Sequence, residues 1–459
     1  MLGVLIVLGS LAALMLLAFR GWSLLVLTPL LALLAVILTG DGPILASYTQ
    51  VFMRAAGEFV INLFPVFLLG ALFGKVMDAS GAARALANRI TDSLGTARAM
   101  LAVVVCCAVM TYGGISLFVV TFAIYPIAAT LFRRAEINKR LIPAAITLGA
   151  FTFTMIALPG TPAVQNAIPM PVFGTTPFAA PGLGIIAAVV MLAVGYTLLM
   201  WRQRAYGVGY GPYDDESAAA DESDLPHWTA AGIPLLLVLV VNILFTFVVI
   251  PRLDTAFLAE PEWGSTSIES VRGLWSIIVA MAVATVVLIA MNFRRVVDRL
   301  SKLFEEGARD ALVPMFTVAS LVGFGAVIAG LDAFQSIKTA IIALGGDDTV
   351  ITAALTTTLL AGVTGSASGG LAATMASLGE TLREAAVADG IPMELMHRIV
   401  SVASGVGHFL PHNGAFISLV AVCGLTPKET YRDAALMGLV TPLVALIVLI
   451  LLGTTIGSF

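Results

Sequence analysis

The chain has 459 residues, of which 59% are hydrophobic and only 11% are charged. Soluble globular proteins are about one quarter charged, so this composition excludes an ordinary soluble domain and indicates a polytopic membrane protein. The net charge of −4 comes without a basic patch, and no nucleic-acid partner is indicated. Cys106, Cys107 and Cys423 lie within apolar stretches, which indicates packing positions; no disulfide framework, metal site or cofactor is expected.

Apolar runs along the chain predict an all-α fold with about ten transmembrane helices. Each run approaches the roughly 20 residues that a helix needs to cross the hydrocarbon core, and none alternates in polarity as barrel strands do. The first run has no Lys or Arg before it, so it is expected to be a retained helix rather than a signal peptide. The predicted spans are 2–19, 23–40, 58–77, 140–166, 182–201, 229–250, 272–293, 309–331, 395–424 and 435–455.

Two further apolar stretches, 99–132 and 350–378, are too long for one crossing and too short for two. Each contains a small polar cluster near its middle, TYGGIS at 111–116 and GSASGG at 365–370. Basic residues flank the first stretch on both sides, and mainly acidic residues flank the second, with Arg398 counted among the few basic ones. The positive-inside rule therefore predicts two re-entrant hairpins, the first entering from the cytoplasm and the second from outside.

The two halves of the chain share this layout. A shift of 252 residues brings Gly113 onto Gly365, Leu158 onto Leu410 and Pro159 onto Pro411. The loop charges place the halves, 1–205 and 229–459, in opposite orientations, which predicts an inverted-topology repeat typical of secondary transporters. Residues 206–228 are polar and acidic and are expected to form a flexible cytoplasmic linker, with both termini on the outer side of the cytoplasmic membrane.

Proline interrupts one apolar segment in each half. Pro159 and Pro411 remove a backbone donor, and the polar or flexible residues after them indicate broken helices at 140–166 and 395–424. Thr161 followed by Pro162 suits an N-cap and a first helical residue. Helices that restart at such breaks would direct their positive N-terminal ends at a cavity, which favours a small anion such as a carboxylate.

The candidate binding residues lie at the two hairpin turns and the two breaks, where glycine, hydroxyl, amide and imidazole groups suit hydrogen bonds to a hydroxy acid. No Arg or Lys lies in these segments, so backbone dipoles are expected to provide the charge complement. For any single Ser or Thr, hydrogen bonding within its own helix is the alternative. The candidates are Gly113, Gly114, Ser116, Thr161, Gln165, Asn166, Ser366, Ser368, His412, Asn413 and Gly414, with Ser418 as a further hydroxyl.

Proton coupling needs a group that titrates near neutral pH, and histidine is the side chain that does so unperturbed. His412, beside the second break, is the leading hypothesis, and His408 is the reserve. A packing or capping role is the alternative for His408.

At these motifs the sequence resembles the gluconate:proton symporter family of the ion transporter superfamily. The resemblance rests on GALFGKVMDASGAA at 70–83, LPGTPAVQNAIP at 158–169 and LPHNGAFISLVAVCGLTPKETYRD at 410–433. It implies proton-coupled import of a small carboxylate, such as gluconate or 3-hydroxybutyrate, by a homodimer with a scaffold and a mobile, elevator-type domain. The LPGTP and LPHNG forms are more similar to members associated with short acids.

Three alternatives stay open at this point. A sodium ion held by backbone carbonyls could replace the proton as coupling ion. The segment Ser366-Ala367-Ser368-Gly369 is similar to the nucleophile motif of intramembrane serine hydrolases, but Ser366 stands where that motif has glycine. A channel is the third, although no ring of like charges or carbonyl-filter signature is present in the sequence.

Overall fold

The computed structural model describes residues 2–20, 22–115, 117–213, 225–334, 336, 348–411 and 413–459. These residues are helical and contain no strand, which confirms the predicted all-α class. The helices are α1 (Leu2–Phe19), α2 (Leu24–Thr39), α3 (Ile44–Ala79), α4 (Ala82–Leu94), α5 (Ala99–Tyr112), α6 (Leu117–Arg134), α7 (Leu141–Ala150), α8 (Phe153–Ile156), α9 (Val164–Ala167), α10 (Met170–Phe173), α11 (Pro181–Tyr206), α12 (Thr229–Arg252), α13 (Ile268–Met291), α14 (Phe293–Ala329), α15 (Thr349–Thr364), α16 (Ala367–Ala388), α17 (Met393–Gly407), α18 (Gly414–Val422) and α19 (Pro427–Thr455).

Within the described part of the chain, six helices are long and apolar enough to cross a membrane: α3, α11, α12, α13, α14 and α19. Helices α3 and α14 are longer than the spans predicted at 58–77 and 309–331, because each continues without interruption into the segment that precedes it. They pack along each other in the centre of the fold, where Gly307 lies against Leu72 and Gly323 against Phe52. Small residues at such contacts let two helix backbones approach closely.

Both stretches predicted as hairpins form helix–turn–helix units. In the first hairpin, α5 and α6 flank the turn at 113–116, of which Ser116 lies outside the described residues. In the second hairpin, α15 and α16 are joined at Gly365 and Ser366. Gly114 (φ +89°) and Gly365 (φ +60°) adopt left-handed conformations that strain other residues, so the glycines fix where the chain turns. Entry of these hairpins into the membrane from opposite sides stays a prediction.

Both proline-containing segments are broken, as predicted, but the first break is wider than expected. The regular helix α7 ends at Ala150, only single turns (α8, α9 and α10) follow, and residues 157–163 are not helical. The expectation that Thr161 caps a restarted helix is wrong: Ala163 occupies the N-cap position of α9, and the Thr161 hydroxyl accepts a hydrogen bond from the Ala163 amide at 3.3 Å. The Asn166 side chain donates to the Thr161 carbonyl oxygen at 3.0 Å, in place of the backbone amide that would bond to it in a helix capped by Thr161.

The second break restarts as a true helix. Helix α17 ends at Gly407, residues 408–413 follow, and α18 begins at Gly414. Asn413 caps α18, since its Oδ1 accepts a hydrogen bond from the Phe416 amide at 2.7 Å. His412 lies outside the described residues.

The two halves interlock through these elements. After the first break, α9 packs on α16 of the second hairpin, and after the second break, α18 packs on α6 of the first hairpin. The broken helices also pack on the first arm of their own hairpins at glycines, since a Cβ at Gly149 would overlap the Val104 carbonyl oxygen and one at Gly407 would overlap that of Thr358. Each hairpin and its broken helix therefore form one tightly packed unit.

The end of α11 and the residues that follow it pack along the start of α19. Arg202 forms a buried ion pair with Asp433, and the Tyr206 hydroxyl donates to Asp433 Oδ2 at 2.6 Å. The Tyr213 hydroxyl donates to Glu429 Oε1 at 3.2 Å. Residues 206–213 of the predicted linker are therefore anchored, and residues 214–224 lie outside the described part.

The Gly407 contact gives a direct stability prediction. In a Gly407→Ala variant the added Cβ meets the Thr358 backbone, which cannot yield as a flexible side chain would, so we expect a loss of about 1–3 kcal/mol. Gly57→Ala is the matched control, because a Cβ at this helical position meets nothing within 4 Å. Unfolding in detergent measures both variants, and equal stability of the two would contradict the packing described.

Candidate functional site

The turn of the first hairpin lies directly on the first break. The Tyr112 hydroxyl donates to the Pro159 carbonyl oxygen at 2.7 Å. A Cβ at Gly114 would lie 3.0 Å from Pro162 Cγ, so only glycine fits this approach without movement of its neighbours. Gly113 is buried against Leu235. Two of the segments predicted from sequence to form the site are thus in contact.

The carbonyl groups of the first break are held by amide side chains. Asn242 donates to the Gly160 carbonyl oxygen at 3.0 Å, and Asn166 donates to those of Thr161 and Pro177, both at 3.0 Å. Thr161 and both asparagines are fully buried. Carbonyls that a helix break leaves open in an apolar interior need such partners, because each unsatisfied group costs several kcal/mol in lipid.

A buried polar cluster that sequence reasoning missed continues from Asn166. Its Oδ1 accepts from His397 Nε2 at 3.1 Å and from Arg398 Nη1 at 3.3 Å, and His397 Nδ1 lies 2.6 Å from the Thr175 hydroxyl. Arg398 Nη2 and Nε also donate to the Ala179 carbonyl oxygen, at 2.6 and 3.2 Å. We name Asn166, Thr175, His397 and Arg398 the buried cluster. All its donors and acceptors come from segments that adjoin the two breaks.

Arg398 lies near the start of the predicted span 395–424 and was expected only to contribute to the charge beside the second hairpin stretch. Helix α17 begins at Met393, and every residue from Leu395 to Val406 is buried, Arg398 with 0% exposure. The place of Arg398 in a buried polar cluster was not predicted. The available signal was the pair His397-Arg398 inside an otherwise apolar, helix-length run.

The two breaks are close to each other. The rings of Phe151 and Phe409, one from each break, pack edge to face with centroids 5.7 Å apart. Gly405 of α17 lies against the Ile156 side chain, and the Ser401 hydroxyl donates to the Gln165 carbonyl oxygen at 3.2 Å. The structure therefore brings together the two break segments predicted from the sequence.

At the second break, His408 is fixed in one tautomer. Its Nδ1 lies 2.8 Å from the Gly405 carbonyl oxygen, and because a carbonyl only accepts, Nδ1 carries the hydrogen. Nε2 then presents a lone pair, and this atom is buried without a hydrogen-bond partner. Asn413 donates to the His408 carbonyl oxygen at 3.0 Å, while Gly414 beside it is exposed.

The second hairpin turn lies beside the second break. A Cβ at Gly362, just before the turn, would lie 3.6 Å from the Gly407 carbonyl oxygen and 3.8 Å from Leu410 Cδ1. Ser366 caps α16 by accepting from the Gly369 amide at 3.1 Å, and its hydroxyl lies 3.3 Å from that of Ser368. Ser418 instead donates to the Gly414 carbonyl oxygen in its own helix.

Unsatisfied polar atoms concentrate at these elements. Among the described residues, four buried side-chain atoms lack a hydrogen bond: Thr111 Oγ1, Thr357 Oγ1, His408 Nε2 and Asn292 Oδ1. The first two lie on the first arms of the two hairpins, Thr111 beside the turn, and the third lies at the second break. An unsatisfied buried group costs about 1–3 kcal/mol, and these atoms keep hydrogen-bonding capacity that no described residue uses. No group of His, Cys, Asp or Glu in the described ranges could hold a metal ion.

The Tyr112 hydrogen bond can be tested separately from any transport assay. Tyr112→Phe removes one hydroxyl that holds the break, so we expect about 1 kcal/mol less local stability, roughly a fivefold increase in opening. Hydrogen–deuterium exchange of a peptide covering 157–163 measures this change. A peptide within α2, whose Thr28 hydroxyl bonds to its own helix and to Ser320, serves as the internal control, and unchanged exchange at 157–163 would contradict the assigned bond.

No protein-family model matches the chain. The chain is 42% identical over 446 residues to the uncharacterized transporter YxjC of Bacillus subtilis, covering 93% of this chain and 94% of that relative. An uncharacterized transporter of Haemophilus influenzae is 29% identical over 176 residues, 38% of this chain and 40% of the relative.

Two solved structures share the fold. The YdaH transporter of Alcanivorax borkumensis matches with a TM-score of 0.55 at 17% identity, over 90% of this chain and 89% of that one. MtrF of Neisseria gonorrhoeae, from a class of antimetabolite efflux pumps, matches with a TM-score of 0.57 at 13% identity, over 89% and 84% of the two chains. At these identities the likeness shows the fold alone.

Proposed function

Because the chain belongs to the transporter family of Bacillus subtilis YxjC, we propose that it is a secondary transporter that carries a small hydroxymonocarboxylate together with a proton. Its relatives and structural neighbours are membrane transporters rather than enzymes, which removes the hydrolase alternative. The polytopic all-helical fold agrees with this class.

One observation carries the proposal: each hairpin turn lies on the break of its own half, the two breaks adjoin, and buried polar atoms without partners occur there. Hydroxyls of Ser366 and Ser368 and the first amides of the 22-residue helix α16 suit a carboxylate. Gly113, Gly114, Asn413 and Gly414 would line the same region, with His412 and Ser116 beside them in the sequence. Thr161 and Asn166 hold the first break in shape, since their side chains are engaged in protein hydrogen bonds. At Gln165 the backbone carbonyl accepts from Ser401, and its side-chain amide stays a candidate for substrate binding.

The geometry of His408 supports proton coupling. Its Nε2 lone pair is buried and unpartnered, and a proton from the medium or from the acid would give it an N–H that an anion can accept. Binding of proton and carboxylate would then be mutually favourable, because the charged imidazole and the anion neutralise each other in an apolar surrounding. His412, four residues on, remains the second candidate for this role.

Sodium coupling is the alternative, but most carbonyl groups of the first break that could coordinate a sodium ion are already hydrogen-bonded. Three of its carbonyl groups, those of Pro159, Gly160 and Thr161, already accept hydrogen bonds from Tyr112, Asn242 and Asn166. A sodium ion coordinated by these oxygens would have to share or displace those donors. This occupancy favours a proton as the coupling ion.

We further propose that transport is an elevator-type movement within a homodimer. The units formed by each hairpin and its broken helix would be the mobile part, and the long helices around α3 and α14 would form the scaffold. The halves 1–205 and 229–459 would be inserted in opposite orientations, which lets one fold expose the same site to either side in turn. The LPGTP and LPHNG motifs favour a short acid such as 3-hydroxybutyrate over gluconate.

Uptake by proteoliposomes tests the proposal as a whole. With purified protein and a panel of lactate, 3-hydroxybutyrate and gluconate, we expect accumulation of a short hydroxy acid under an inward proton gradient, abolished by a protonophore. Accumulation that follows a sodium gradient and survives the protonophore would establish the sodium alternative. Equilibration without accumulation under any gradient would instead indicate a channel.

Substitution of His408 tests the coupling step. His408→Gln keeps the size of the side chain but removes the titratable ring, so we expect loss of pH-driven accumulation by at least about tenfold. Exchange of labelled for unlabelled substrate across the membrane should persist, because exchange needs binding but no net proton movement.

Two parallel variants sharpen this test. His227→Gln is the matched control, since His227 is exposed in the segment between the halves. His412→Ala tests the second candidate under the same conditions. Unaltered pH-driven accumulation in His408→Gln would assign the coupling proton elsewhere.

A further inference from the structure

We propose that Arg398 supplies the fixed positive charge by which the transporter selects a monoanion, in place of backbone dipoles alone. This inference rests on the proposed function and names the group that discriminates between an acid and its neutral analogues. The sequence places no Lys or Arg in the hairpin turns or breaks. The fold brings Arg398 beside Asn166, the residue that holds the Thr161 carbonyl of the first break, from a helix turn well before the second break.

The first argument is the isolation of the charge. Arg398 has 0% exposure, and no acidic residue of the described ranges forms an ion pair with it. Its partners are the neutral oxygens of Ala179 and Asn166. A buried guanidinium without a counter-anion is costly, and that cost is recovered when an anion binds beside it.

The neighbouring His397 adds no second charge to the buried cluster. His397 Nε2 faces Asn166 Oδ1, which only accepts, so Nε2 donates, and the Thr175 hydroxyl can donate to Nδ1. Both ring nitrogens are thus satisfied in the neutral imidazole. The buried cluster therefore carries a single positive charge, which matches a single carboxylate.

The second argument is the remaining donor capacity. A guanidinium has five N–H groups, and the described hydrogen bonds use one on Nε, one on Nη1 and one on Nη2. One N–H on each terminal nitrogen is left, and guanidinium N–H groups form strong, charge-assisted hydrogen bonds to carboxylates.

The third argument is access. A surface cleft of about 480 Å³ opens between the segment after the first break and the second arm of the second hairpin. Its wall includes Gly174, the residue before Thr175, and Met393, one helical turn before His397. Along the chain, the wall of the cleft is therefore one residue from Thr175 and one helical turn from His397, while Arg398 itself lies deeper. The remaining lining residues are Pro171, Val172, Phe173, Ser270, Met375, Glu380, Arg383 and Val387.

The test measures selectivity rather than activity alone. Binding of 3-hydroxybutyrate, lactate and gluconate to purified protein is compared with binding of the amide of each acid, by isothermal titration calorimetry in detergent. We expect wild type to prefer the acid, Arg398→Lys to retain a preference, and Arg398→Gln to lose at least about tenfold of it, because this variant has no positive charge to pair with the carboxylate.

Ser401→Ala is the control, because Ser401 lies on the same helix and only ties α17 to the Gln165 carbonyl oxygen. Any effect of Ser401→Ala should be equal on the acid and on its amide. A purely structural role for Arg398 predicts the same equal loss in Arg398→Gln. That result would overturn the inference. Unaltered acid preference in Arg398→Gln would overturn it too. Absence of binding of any of these acids to wild type would overturn the proposed carboxylate function together with this inference, so the two failures are distinguishable.

Discussion

The structure depends on one constraint: backbone groups released from helical hydrogen bonding in an apolar interior must find other partners. Pro159 and Pro411 create such groups in each half of the chain. The first break is satisfied by the side chains of Tyr112, Asn242 and Asn166, and the second by the local Asn413 and by Tyr431 of α19, whose hydroxyl donates to the Phe409 carbonyl oxygen at 3.3 Å. The two breaks differ in how many consecutive carbonyl groups these side chains hold: Pro159, Gly160 and Thr161 in the first, and His408 and Phe409 in the second.

That difference also separates the roles of the two breaks. The first break accepts three hydrogen bonds on consecutive carbonyls and makes contacts to the buried cluster, so it is held in one shape. The second break contains the exposed Gly414 and the unpartnered Nε2 of His408. A site with one fixed wall and one wall that still has bonding capacity is suited to bind and release a guest, because preorganisation lowers the cost of binding.

Local chemistry in the sequence was sufficient to predict the hairpins and the breaks. Gly114 and Gly365 permit left-handed turns, so the hairpins could be predicted without tertiary information. Proline alone does not locate a break, because Pro65 and Pro314 lie inside helices; the polar or flexible residues after Pro159 and Pro411 supplied the signal. The capping role of Thr161 failed because the Asn166 side chain holds the Thr161 carbonyl oxygen. The cluster around Arg398 was missed because composition cannot show that partners at Asn166 and Ala179, more than 200 residues away, bury its charge.

The glycine contacts between each broken helix and its hairpin restrict the movement of one relative to the other. Gly149 and Gly407 bring backbone against backbone, with no side chain between that could rotate aside. Sliding either helix by one residue would drive a Cβ into a carbonyl oxygen. Each hairpin is therefore held in register with its own broken helix by contacts that leave no room for a longer side chain.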